Sequence, residues 1–90
     1  SGALTPIVAV FESASSIRII MIDDEPWLVA VDIAKALHFR DAANMVRMLD
    51  ADEKGTHIVS TPGGHQDLTI INESGLYHAV LKSRKPEAKV

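Results

Sequence analysis

Between Val31 and Leu49 two short apolar-periodic segments meet across a turn of only His38, Phe39 and Arg40, and this spacing restricts the chain more than any other feature. The first segment, VDIAKAL, sets Ile33, Ala34 and Leu37 on one face of a helix. The second, DAANMVRML over Asp41–Leu49, opens on a capping aspartate and spaces Ala42, Met45, Val46 and Leu49 at i, i+3, i+4 and i+7. Helices joined so closely must cross steeply, which is the outline of a helix-turn-helix. The face of the second helix turned away from its apolar stripe carries Asn44, Arg47 and Met48, with Arg40 and Lys54 beyond its two ends. No carboxylate falls on that outward stripe; Asp41 and Asp50 border it.

The rest of the chain reads as short strands and one further helix. Ile7–Phe11 and Ser16–Ile22 are strand-like, Asp23-Asp24-Glu25-Pro26 is a turn, and Trp27–Ala30 is a third strand leading into the helix pair, with Trp27 as a core anchor. Asp50–Gly55 is a charged loop. His57–Thr61 and Gln66–Ile71 form a hairpin through Pro62-Gly63-Gly64-His65, where the paired glycines supply positive φ. Asn72 caps a helix that turns Leu76, Val80, Tyr77 and Leu81 inward and stops near Ser83, and Pro86 can open another. Strands and helices are grouped rather than alternating, so the fold class is α+β, with short antiparallel strands around the helix pair, a β-hairpin and a C-terminal helix. The expected core is Ile33, Leu37, Met45, Val46, Leu49, Leu68, Ile70, Leu76 and Val80.

With 90 residues there is room for one core, and the 47% apolar content is globular. Ser1-Gly2 reads as a tag remnant, residues 1–6 as a disordered start, and 7–90 as a single domain. There is no cysteine, hence no disulfide and no thiolate ligand or nucleophile, which fits a reducing compartment. No apolar run approaches the roughly 20 residues that span a bilayer, so no membrane partner is expected. A net charge of −3 argues against a strongly basic nucleic-acid binder, but affinity for phosphate depends on where the cations sit. His38, His57, His65 and His78 show no metal-ligand spacing, Gly63-Gly64 is no phosphate loop, and Glu73-Ser74-Gly75 is no nucleophile elbow. Neither catalysis nor a cofactor is expected.

Three strings together carry a family resemblance: EPWLVAVDIAKAL at Glu25–Leu37, the Gly64-His65-Gln66 hairpin followed by LTIINESGLYHAVLKS, and SRKPEAK ending at Lys89. In order and spacing, over roughly Val10–Val90, the chain resembles the Bro-N domain, the amino-terminal module of phage antirepressors and of the baculovirus BRO proteins. The resemblance implies a small DNA-binding domain joined to variable carboxyl-terminal domains, phage- or virus-encoded and acting in gene regulation, with the bacterial host cytoplasm as its setting. Two departures stand out. Family members tend to carry Gly where this chain has His38, so His38 must either adopt left-handed geometry or shift the turn. The family sequence also continues past Val90 with an aromatic-rich helix end, so the chain reads as part of a longer protein.

Under this reading the partner is double-stranded DNA. Arg47 and Asn44 suit guanine and adenine edges respectively, or the backbone, while Arg40 and Lys54 suit phosphates. The hairpin would act as a wing carrying His65 and Gln66, and Lys82, Arg84 and Lys85 would add phosphate contacts. Each feature also has a plainer reading: a solvated helix face, glycines that merely close a turn, and cations that offset a helix dipole. The alternative function is a protein-interaction module that seizes a phage repressor or pairs with itself. A homodimer would double the DNA contact set. Salt discriminates the two readings, because phosphate contacts weaken with salt and an apolar interface barely responds.

Overall fold

Continuous apolar residues build the first hairpin of the structure, a computed structural model that describes residues 16–83. The expected strand at Ile7–Phe11, the helix start at Pro86, and Arg84 and Lys85 lie outside the described residues. β1 (Ile19–Ile22) and β2 (Glu25–Val29) pair antiparallel, with Ile22 opposite Glu25 and Ile19 opposite Leu28. The turn is Asp23-Asp24 alone, with φ of 51° and 65°, the positive pair that a type I′ hairpin demands and that aspartate tolerates. Glu25 and Pro26, expected in the turn, therefore belong to β2. Pro26 is accommodated because pairs alternate along a two-residue hairpin. Ile22–Glu25 is the hydrogen-bonded pair, so the Pro26 nitrogen, opposite Met21, faces away from β1. On its other side β2 meets β4 only at Leu28 and Val29, so no ladder bond is lost there either.

β2 runs without a loop into α1 (Ala30–Ala36), and a short turn leads to α2 (Ala42–Arg47). The expected second helix ran to Leu49. Its last turn is instead tightened, with the Met48 and Leu49 N–H groups donating to the carbonyls of Met45 and Val46. The charged segment that follows is a 3-10 turn at Ala51–Glu53 rather than open loop. β3 (Lys54–Thr61) and β4 (Gly64–Ile71) then pair from Lys54↔Ile71 to Thr61↔Gly64. Only Pro62 and Gly63 form the turn, and the positive φ falls on Gly64 (123°) rather than on both glycines. The sheet order is β1-β2-β4-β3, antiparallel throughout, and α3 (Glu73–Ser83) closes the described chain. The class is α+β, as expected from the grouping of the elements.

One face of the sheet carries the helices. Leu28, Ile33, Met45, Ile71 and Leu76 are fully buried there, joined by Ile17, Ala34, Leu49 and Ala79. Leu37, Val46 and Val80, expected in the core, are half-buried at its border, and Leu68 is half-buried on β4. Tyr77 and Leu81, expected inward, are 46% and 69% exposed. The buried stripe of α3 is instead Gly75, Leu76 and Ala79, which rotates those two outward. Trp27 is not a core anchor either. Alternation along β2 places it on the sheet face opposite Leu28, beside Gly55, whose added Cβ would stand 3.7 Å from the indole Cζ3.

Candidate functional site

The α1–α2 corner is built by two caps. At the end of α1 the Phe39 N–H donates to the Ala34 carbonyl (2.9 Å) and the His38 N–H to that of Lys35 (3.3 Å), the paired bonds of a Schellman motif. The residue between helix and exit must be left-handed, and His38 has φ 62°. Of the two options its side chain left open, the chain takes the strained conformation and keeps the turn. At the start of α2, Asp41 Oδ1 accepts the Asn44 N–H at 2.7 Å. The corner thus has a defined geometry although α1 has 7 residues and α2 only 6.

Helical periodicity then sorts the side chains of α2. Met45 is fully buried, Arg47 is exposed and Asn44 is half-exposed; Arg40, in the corner, is exposed too. Arg47 Nη1 donates to Asn44 Oδ1 at 3.1 Å, so these two expected site residues touch. Lys54 lies at the other end of α2, where its ammonium donates to the Val46 carbonyl at 3.3 Å and offsets the helix C-terminus. His65 and Gln66 are exposed on β4. Gln66, Asp67 and Thr69 line a cleft of about 250 Å³ with Val31 of α1 and Ala42 of α2, so the hairpin does flank the helix pair. Lys82 stands apart on α3, which packs on β2, β4 and the 3-10 turn.

Sequence reasoning missed a second polar constellation, which joins that 3-10 turn to α3. Glu53 is 6% exposed, with Oε2 accepting from the Ser74 hydroxyl (2.6 Å) and Oε1 from the Asp50 N–H (2.9 Å) while facing His78 Nδ1 at 3.1 Å. The Ser74 and Asp50 hydrogen bonds lead, and His78 adds to them; against the cost of burial they hold the Glu53 carboxyl at about 2, below its ordinary 4.5. Asn72 completes the tie, its Oδ1 accepting the Gly75 N–H and its Nδ2 donating to the Asp52 carbonyl. Although a serine, a histidine and a carboxylate meet here, the hydroxyl donates to the carboxylate and not to the imidazole, so they do not have the hydroxyl–imidazole–carboxylate order of a nucleophilic triad. Asp50, Glu53 and His78 also bring ligand-type atoms within 4.8 Å of one another, but both Glu53 oxygens are engaged within the protein. The D-x-x-E spacing of Asp50 and Glu53, a capping box, was the readable signal.

A second tie was not readable at all, since Arg18 and Asp32 are 14 residues apart. Arg18 grips the Asp32 carboxylate through Nε (2.9 Å) and Nη2 (3.0 Å), joining the approach to β1 to the first turn of α1. Burial alone would raise the Asp32 carboxyl, but the Arg18 hydrogen bonds and charge, with Lys35, bring it below its ordinary value. Arg18 and Asp32 therefore neutralise one another, while Arg40 and Arg47 make no ion pair among the described residues.

No helix of the described residues is long and apolar enough to cross a membrane. Neither a curated protein nor a solved structure matches the chain. The family model of the BRO family N-terminal domain, Bro-N, matches residues 16–90. That span contains the helix pair, the flanking hairpin and the INESGLY tie, and the chain belongs to the Bro-N family.

Proposed function

We propose that this chain is the DNA-binding domain of a phage-type antirepressor or related transcription regulator, working in a bacterial host cytoplasm and meeting duplex DNA with its α1–α2 pair. The observation that carries this reading is Arg47, exposed on a helix whose own residues, Ala42–Arg47, include no carboxylate. Membership of the Bro-N family supports it. In this reading Arg47, with Asn44 beside it, meets a base edge or the backbone, and Arg40 meets phosphate. Lys54, held on the Val46 carbonyl, adds positive potential at the far end of α2. The β3–β4 hairpin, with His65 and Gln66, flanks the duplex, Lys82 on α3 adds a phosphate contact apart from it, and Arg84 and Lys85, outside the described residues, are taken as further phosphate contacts from their charge alone. With a net charge of −3, attraction to DNA comes from this local placement alone.

Fluorescence anisotropy of a labelled duplex, titrated with the protein at low and moderate salt, tests the reading. Saturable binding that falls with salt and loses about fivefold or more on Arg47→Ala supports it. Binding that ignores Arg47→Ala but is lost on Lys82→Ala moves the site to α3. No binding by a folded sample at low salt overturns it.

Specific observations favour a second reading, a protein-interaction surface. Tyr77 and Leu81 stand one turn apart on the exposed side of α3, and Met48 is 36% exposed at the end of α2. A repressor protein or a second copy of the chain could cover such apolar groups, and that association would be insensitive to salt.

A further inference from the structure

Asn44 and Arg47 lie three residues apart on α2, and the amide oxygen Oδ1 of Asn44 accepts a hydrogen bond from Arg47 Nη1 at 3.1 Å. The cap of α2 uses a different part of Asn44, its backbone N–H, which Asp41 Oδ1 accepts. The Asn44 side chain therefore bonds only Arg47 among the described residues, and its removal leaves the cap intact. A bidentate contact with adenine would need the amide oxygen and the amide nitrogen together. Arg47 already takes one of that oxygen's two lone pairs. The guanidinium, by contrast, keeps its Nε and Nη2 donors, a planar two-donor edge that matches guanine O6 and N7 or a pair of phosphate oxygens.

We propose that Asn44 is a positioning residue that acts on DNA through Arg47, holding Nη1 so that the Nε–Nη2 edge is presented outward from α2 before DNA arrives. The inference rests on the DNA-binding reading above. A free arginine side chain samples many rotamers and loses that freedom on binding, so fixing it in advance lowers the cost of association. The arrangement also predicts a particular pattern of loss. Without Asn44, Arg47 keeps its charge but not its aim; without Arg47, Asn44 has nothing to aim.

A double-mutant cycle on the same labelled duplex, with wild type, Asn44→Ala, Arg47→Ala and the double variant, reads this directly. The expected result is a loss of about two- to fourfold for Asn44→Ala, a larger loss for Arg47→Ala, and no further loss in the double variant. A second measurement, nitrogen relaxation of the Arg47 Nε–H in the free protein, should show greater mobility in Asn44→Ala at an unchanged melting temperature. Losses that multiply in the double variant overturn the proposal and make Asn44 a DNA contact in its own right. Binding and Arg47 mobility both unchanged in Asn44→Ala overturn it too. If Arg47→Ala leaves binding untouched, the DNA reading of α2 falls and the role falls with it, even where Asn44→Ala loosens Arg47. If Arg47→Ala weakens binding while Asn44→Ala leaves Arg47 equally rigid, positioning alone fails.

Discussion

At His38 the chain carries a side chain in a backbone conformation that glycine adopts at far lower cost. Its φ of 62° is imposed by the two bonds that end α1 and launch the chain toward α2. Replacing His38 with Gly removes the Cβ penalty, and the added freedom of the unfolded chain takes part of it back. We expect His38→Gly to raise stability by about 0.5–1 kcal/mol in urea unfolding, with DNA binding unchanged. Glu53 supplies the other prediction at this scale. Its carboxyl titrates at about 2 in the folded protein and near 4.5 when free of its partners, so the folded state favours the ionised form. A depressed carboxyl stabilises above its unfolded pKa and loses that contribution as pH falls through the folded one. The window is therefore about pH 4.5 down to 2, and the stake is about 3 kcal/mol. Unfolding free energies measured between pH 6 and 2.5 should fall steeply in wild type and more gently in Glu53→Gln, which is weaker already at neutral pH.

Contacts between elements give the INESGLY string its structural role. Asn72 caps α3 and reaches the Asp52 carbonyl, Ser74 bonds the Glu53 carboxylate, and Gly75 lets the 3-10 turn approach the helix. A Cβ on Gly75 would stand 2.9 Å from the Glu53 carbonyl oxygen and 3.2 Å from Ile71 Cβ, neither of which can swing aside. Gly75→Ala should therefore destabilise by about 1–3 kcal/mol in thermal unfolding, although alanine is the better helix former. The motif is legible in sequence, but its role is not, because Glu53 and Ser74 are 21 residues apart. The same distinction runs through the molecule. The α1–α2 pair, the cap at Asp41, the β3–β4 hairpin and the cap at Asn72 follow from local spacing, and the structure has all four. The positions of Trp27, Tyr77 and Leu81 differ from the sequence expectation because hydrophobicity does not say which face is covered; that depends on which element packs there. Proline usually excludes a strand, so Pro26 reads as part of a turn; the alternation of pairs with β1 and the partial pairing of β2 with β4 together leave its nitrogen outside any ladder.

Over the whole molecule a few of the described charges hold the fold. Arg18 binds Asp32, Lys54 binds the end of α2, and Glu53 binds Ser74 beside His78. Arg40 and Arg47 remain exposed at the corner of the helix pair, with the hairpin cleft alongside. An acidic domain can hold DNA through such a corner only if those few cations meet phosphates or bases, and release of counterions then makes affinity fall with salt. The most direct test of this account is the slope of log affinity for a duplex against log salt concentration, measured for wild type and for Arg47→Ala. We expect a clearly negative wild-type slope, and for the variant both weaker binding and a slope flatter by about one. A salt-independent affinity, or two superimposable lines, would contradict DNA binding through α2.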